Sequence, residues 1–204
     1  MEIVMRMQKK VCKRLILFII FFVVFCTSAY MIFSRLWTER KENRAFAALN
    51  GQVEAKLQNE SLTAAQTMSD AEPTIIPAYA GIFEQNHDLF GWIRIEGTML
   101  NYPVMHTPEE PEHYLRRAFD NSSSLSGVPF LDGDCFTDCG NYIVYGHNMK
   151  NGTMFGSVPA YADIKYWRDH PVINFDTLHE SGAYEVIAAF YSRVYSTDDA
   201  NAFR

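Results

Sequence analysis

Tyr142-Ile143-Val144-Tyr145-Gly146-His147-Asn148-Met149 is a short apolar run that stops at a glycine and passes into a histidine. The β-branched and aromatic residues predict a strand over Tyr142 to Tyr145, and the glycine opens a turn. His147 therefore falls at the rim of a sheet rather than inside a core. Imidazole titrates near neutrality, so a rim histidine is a candidate for proton exchange with a substrate. By spacing alone the position equally suits a turn residue or a hydrogen-bonded surface group.

Working outward, strand-like runs cover Gly91 to Ile95, Leu100 to Val104, Val128 to Leu131, Val172 to Phe175 and Tyr184 to Tyr195. Turn chemistry such as Glu96-Gly97-Thr98 separates several of them. Gly91 to Ile95 alternates, with Trp92 and Arg94 on one face and Ile93 and Ile95 on the other; Trp92 reads as a packing residue. Short helices fit at Tyr79 to Asn86, Glu112 to Arg117 and Asp163 to Trp167. Many short strands with few helices predict a mainly β barrel or sandwich with small helical insertions.

Upstream, Leu15 to Phe33 is a 19-residue stretch without a charge, long enough to cross a bilayer as a helix. Arg6, Lys9, Lys10, Lys13 and Arg14 precede it and favour a cytoplasmic N-terminus. Thr27-Ser28-Ala29 offers small residues for signal cleavage, but apolar character continues to Phe33, which favours an uncleaved anchor. Either way the following domain is expected outside the cell. Phe46, Leu49, Val53 and Leu57 then recur at helical spacing, as a stalk or as a helix packed on the domain. Asn59 to Asp70 reads as a polar linker ended by Pro73 and Pro77.

Charge divides sharply along the chain. Residues 1–44 carry nine Lys/Arg and three Asp/Glu, whereas residues 45–204 carry nine and twenty-one, a balance of -12 within the net -6. So acidic a domain has no electrostatic footprint for DNA or RNA. Cys12 and Cys26 lie in or beside the apolar stretch. Cys135 and Cys139 share a loop with Asp132, Asp134 and Asp138, where inert thiols, a tight disulfide and a zinc site with His147 are all open. The aspartates match no complete calcium loop. His87, His106, His113, His170 and His179 suit surface or capping roles. Arg116 and Arg117 could pair with local acids.

From about Ala78 to Tyr195 the chain resembles the class B sortases of Gram-positive bacteria. The resemblance rests on Phe83-Glu84-Gln85-Asn86-His87-Asp88-Leu89-Phe90-Gly91-Trp92-Ile93, on Gly97-Thr98 with Asn101-Tyr102-Pro103-Val104, and on Tyr114-Leu115, Phe119-Asp120 and Phe130-Leu131-Asp132. Its strongest part is Tyr145-Gly146-His147-Asn148-Met149 with Gly152-Thr153-Met154-Phe155-Gly156. His170-Pro171-Val172-Ile173 and Tyr184-Glu185-Val186 follow in the same order.

The resemblance implies an eight-stranded sortase barrel, incomplete here at its C-terminus, and a membrane-anchored cysteine transpeptidase. Such an enzyme cleaves a C-terminal sorting signal of a secreted protein and joins the product to a peptidoglycan amine. Its implied partners are those secreted substrates, the precursor or cross-bridge amine and the membrane; no cofactor and no metal is implied. His147 matches the family's catalytic histidine. The family's Thr-Leu-x-Thr-Cys strand and the arginine of its next strand have no counterpart, and Cys135 and Cys139 precede the histidine. A truncated and inactive sortase is thus expected, with a non-catalytic, peptide-binding remnant of the cell envelope as the alternative. The expected layout is a basic cytoplasmic tail (1–14), an anchor (15–33), a stalk and linker (34–74) and a partial catalytic domain (75–204).

Overall fold

The computed structural model describes residues 2–63, 75–135 and 140–192. The chain divides into two compact units, Met1–Ala47 and Ala48–Arg204. Helix α1 runs over Glu2–Thr63. From Leu15 to Phe33 its large apolar side chains are exposed, Phe18 at 76% and Phe25 at 69%, in a helix long and apolar enough to cross a membrane. The hydroxyls of Thr27, Ser34 and Thr38 donate to the carbonyls of Val24, Met31 and Ser34. Back-bonding of this kind satisfies a hydroxyl without water, the condition a bilayer imposes.

In the second unit, Leu49 and Val53 of the predicted apolar stripe are buried, and Gln85 donates to Gln52 at 3.0 Å. The helix persists to Thr63, so the expected linker does not begin at Asn59. Asn, Glu and Ser there are tolerable helix residues, and no proline or glycine interrupts them before Pro73. The rest of the linker lies outside the described residues.

Helix α2 (Pro77–Phe83) starts on a proline, whose missing N–H costs nothing in a first turn. It buries Ala78, Tyr79 and Ile82 against the sheet. Tyr79 stacks on Trp92 with centroids 6.0 Å apart, and its hydroxyl donates to Asp176 at 2.5 Å. This bond gives the buried carboxylate a partner, without which its desolvation would be costly.

The sheet comprises β1 (Leu89–Arg94), β2 (Asn101–Met105), β3 (Phe130–Leu131), β4 (Val144–Tyr145), β5 (Val172–Thr177) and β6 (Ala183–Glu185). Their order across it is β4-β3-β2-β1-β5-β6. Strand β1 is antiparallel to both β2 and β5, β2 runs parallel to β3, and the outer pairs are antiparallel. Gly91 is needed at the centre, because a Cβ there would lie 2.1 Å from the Asp176 carbonyl oxygen. Trp92 and Ile95 are almost fully buried and Ile93 nearly so, which makes β1 the middle of the core on both faces. Its Trp92 face meets α2. Its Ile93 face opens into a concavity of about 450 Å³, lined also by Tyr142, Val144, Ile173, Phe175 and Tyr184.

The expected barrel is thus present as a curled half-barrel of six strands among the described residues. Several strands are shorter than their composition predicts. The run from Val128 pairs only at Phe130 and Leu131, since Pro129 has no N–H to offer the ladder and Val128 donates to Tyr114 at 3.1 Å. The run from Tyr142 pairs only at Val144 and Tyr145, because the Ile143 amide is drawn to the Cys135 thiol. The run from Tyr184 leaves the sheet after Glu185. Beyond that point Val186 donates to Pro171 at 2.9 Å, where β5 has not yet begun, and Trp167 donates to the Val186 carbonyl. Ile187, Phe190 and Tyr191 are consequently exposed; residues 193–195 lie outside the described residues.

Of the helical segments, α2 starts and ends earlier than the expected Tyr79 to Asn86, a 3-10 helix over Phe155–Ala162 was not expected, and the other two lie close to where the sequence places them. Glu112 to Arg117 is a 3-10 helix over His113–Arg116. Helix α3 (Ile164–Asp169) is capped by Asp163, which accepts from the Lys165 amide at 2.8 Å. That is the bond an N-cap carboxylate makes to an orphan helical donor.

Candidate active site

Strand β4 is an edge of the sheet, and His147 lies two residues beyond its end. The ring is half-buried. Burial is the larger cause, and the Arg116 guanidinium the smaller, of an imidazole pKa held below its ordinary value. Both act against the imidazolium, burial by removing water and arginine by like charge. At neutral pH the ring is accordingly an uncharged base with a free nitrogen lone pair.

The turn after the histidine fixes where that ring sits. Phe155 donates its amide to the His147 carbonyl at 3.0 Å, and Gly152 donates to Met149 at 3.0 Å. Asn148 and Met154 form an antiparallel bridge. Gly146 lies under the Phe155 ring, where an added Cβ would come within 2.9 Å of two ring carbons. Asn148 also lines an apolar groove of about 240 Å³ with Phe155, Val158 and Pro159, faced by Phe190 and Tyr191.

On the approach to β4, Tyr145 donates to Asp132 at 2.9 Å, and Asp132 accepts the Asp134 amide at 3.0 Å. These two bonds, the backbone one first, hold the Asp132 carboxyl below the usual range, while the same carboxylate raises the Tyr145 phenol. Cys135 is a free, buried thiol. Its sulfur accepts the Ile143 amide at 3.4 Å and lies 3.7 Å from the Asn141 carbonyl. Cys139, which the disulfide and zinc readings require, lies outside the described residues. Among the described residues no group of three or more His, Cys, Asp or Glu is placed to hold a metal ion.

Further from the site, Arg116 and Arg117 donate to the carbonyls of Leu125 and Asn121 at 2.9 and 3.3 Å. His113 lies between Glu110 and Asn121, both at 2.8 Å, and His170 contacts the Glu96 carbonyl oxygen. Tyr114 is buried, bonded to Asn86 and Asp88; burial chiefly pushes its phenol up to about 12. Two features were missed in the sequence. One is the charge of Arg116 reaching His147 from 31 residues upstream. The other is the positive φ of Met154, at 51°; only the Gly-rich neighbourhood hinted at unusual turn geometry.

No family model matches the chain. Sortase B of Staphylococcus aureus is 29% identical over 125 residues, 60% of this chain and 51% of that protein. Sortase B of Listeria monocytogenes is 31% identical over 108 residues, 52% of this chain and 43% of that protein. The matches thus span about half the length of these relatives. Among solved structures, a Staphylococcus aureus sortase B–substrate complex superposes with a TM-score of 0.63 at 22% identity, covering 73% of this chain and 64% of that one. Sortase B of Bacillus anthracis gives 0.62 at 23%, covering 80% and 76%. Sequence over the matched half and strand arrangement over the described sheet together make this chain a relative of the class B sortases.

Proposed function

We propose that this chain carries the anchor, the half-barrel and the catalytic histidine of a class B sortase-type cysteine transpeptidase. The observation that carries the reading is His147: a half-buried, uncharged imidazole held by a tight turn at the end of an edge strand of a sortase-like sheet. In the proposed reaction the uncharged imidazole takes the proton of a thiol, and the resulting thiolate attacks the scissile carbonyl carbon of a sorting signal. As the tetrahedral adduct collapses, the C–N bond breaks and the departing amine takes a proton from the imidazolium. An amine of the cell-wall precursor or cross-bridge then attacks the thioester carbonyl, loses its proton to the imidazole and expels the thiolate, which takes that proton back as the thiol. Burial at His147 suits this cycle, because it keeps the ring uncharged and ready to accept the proton of the thiol and later that of the incoming amine.

The thiol and the oxyanion-stabilising arginine have no matching residue among the 204. Cys135 is a poor substitute, since its sulfur is buried and engaged by backbone. The chain on its own is therefore assigned no turnover. Helix α1 supports the topological part of the proposal, with residues 1–14 cytoplasmic, 15–33 crossing the membrane, 34–74 forming stalk and linker, and 75–204 outside the cell.

The test is turnover of a fluorescent sorting-signal peptide with an amine acceptor, using the full chain in detergent micelles. The chain alone gives none, and product formation would overturn that part of the proposal. A chimera continued with the C-terminal region of Staphylococcus aureus sortase B gives transpeptidation that His147→Ala reduces by about 10²–10⁴-fold. A folded chimera whose rate does not depend on His147 would refute the catalytic assignment.

A further inference from the structure

Thr153-Met154-Phe155-Gly156 forms a turn closed by the Gly156 amide donating to the Thr153 carbonyl at 2.9 Å. Its first corner residue, Met154, has φ 51° and ψ -126°. That corner belongs to a type II′ turn, a place glycine takes because a Cβ is crowded there. A methionine stays in such a conformation only where its surroundings over-determine it, and strain of this kind gathers at functional sites. Met154 is 2% exposed, so its N–H cannot turn to water. The partner of that N–H is the Tyr102 hydroxyl at 3.1 Å, 52 residues earlier on β2. Tyr102 is itself 5% exposed, and burial pushes its phenol up, so the hydroxyl stays neutral across the working pH range.

Met154 stands directly across from the histidine segment. It bridges Asn148, and the next residue donates its amide to the His147 carbonyl. The Phe155 ring also fills the space above Gly146. The turn is thus tied to the core by one phenol and to the histidine by its far side. We propose that Tyr102 is a positioning residue for His147: its hydroxyl locks the strained Met154 corner, and the locked corner holds the imidazole in its half-buried place. Arg116 remains the charged group acting on the ring. The inference rests on the assignment of His147 to proton transfer, but its structural half can be measured without turnover.

The experiment follows the His147 ring by NMR titration, and the Met154 and Phe155 amides by hydrogen exchange, in the full chain in micelles. Tyr102→Phe keeps the ring and removes the hydroxyl. The expected result is a His147 midpoint that moves up towards the ordinary histidine value, with exchange at Met154 at least about tenfold faster. Adding Met154→Gly restores the parental midpoint, because glycine holds the corner without help. Tyr79→Phe, which removes another buried phenol's bond, leaves the midpoint where it was. An unchanged midpoint in Tyr102→Phe, or an equal shift in Tyr79→Phe, overturns the proposal. Should Tyr102→Phe fail to fold, recovery of the fold by Met154→Gly supports it and failure of that rescue overturns it. In the chimera, a rate indifferent to His147→Ala alongside a shifted midpoint would sink the catalytic assignment and leave the positioning role standing. The reverse pattern would do the opposite.

Discussion

Two loops flank β4, and each brings a chemically capable side chain to the same edge of the sheet. The loop before it carries Cys135, and the turn after it carries His147. The thiol is buried and its sulfur takes up the amide that would otherwise lengthen the strand. The imidazole is half-buried, its backbone is clamped on the far side by Phe155, and its ring is kept uncharged by burial and by Arg116. Nucleophilicity on paper is greater in the first loop, but readiness for chemistry is greater in the second. A reactive cysteine needs a partly exposed, electropositive setting that favours thiolate, and Cys135 has instead a structural one.

The largest test of this contrast is the pair His147→Ala and Cys135→Ser in the chimera described above. The first is expected to lower the rate by at least about 100-fold, the second to leave it within about twofold while lowering stability by roughly 1–3 kcal/mol for a repolarised buried site. Peptide turnover and thermal unfolding measure the two. A rate collapse in Cys135→Ser without loss of fold would reverse the assignment of roles.

Next in size is Gly146→Ala. The added methyl meets the Phe155 ring at 2.9 Å, and overpacking of this kind costs roughly 1–3 kcal/mol unless the ring turns aside. The expected outcome is a stability loss with a His147 titration displaced from that of the parent, read by denaturant unfolding and NMR. Gly140→Ala, in the loop before β4, has open space for its Cβ and should change neither.

A finer contrast lies between two histidines. The His147 pKa is lowered, by burial first, whereas the His113 pKa is raised, by its hydrogen bond to Glu110 first. In the folded chain the His147 midpoint falls below 6.5 and the His113 midpoint above it. For His147 the unfolded chain binds protons more readily, so stability is full above 6.5 and falls as pH drops through the folded midpoint. For His113 the sign is opposite: its contribution is complete below 6.5 and is lost as pH rises through the raised midpoint. His147→Gln should flatten the acidic decline in unfolding free energy, and His113→Gln should not. Smallest of all, Asp169→Asn removes an exposed pair with Lys165 at 3.1 Å and should shift stability by less than about 0.5 kcal/mol.

Much of the sheet was readable from β-branched and aromatic runs, because side-chain alternation and burial are written residue by residue. The strand ends were not. At Ile143 a thiol eight residues away takes the amide, and after Glu185 the partner strand has not yet started. Neither event has a local signature. The histidine was legible through its strand-glycine context and through a resemblance carried by several ordered motifs. Its pKa, and the dependence of its turn on Tyr102, were not, since the groups responsible come from 31 and 45 residues upstream.

Chain chemistry by itself determined that this protein has a long apolar N-terminal helix, an acidic β-rich domain and a histidine just past the Tyr142 to Tyr145 run. Those follow from hydropathy, charge and periodicity, which are properties of neighbours in sequence. Tertiary structure alone decided which thiol is spent on backbone, which imidazole stays uncharged and which phenol holds a methionine in a glycine's conformation. Desolvation, like-charge proximity and a single long-range hydrogen bond act through space, and only the folded sheet brings their donors within reach.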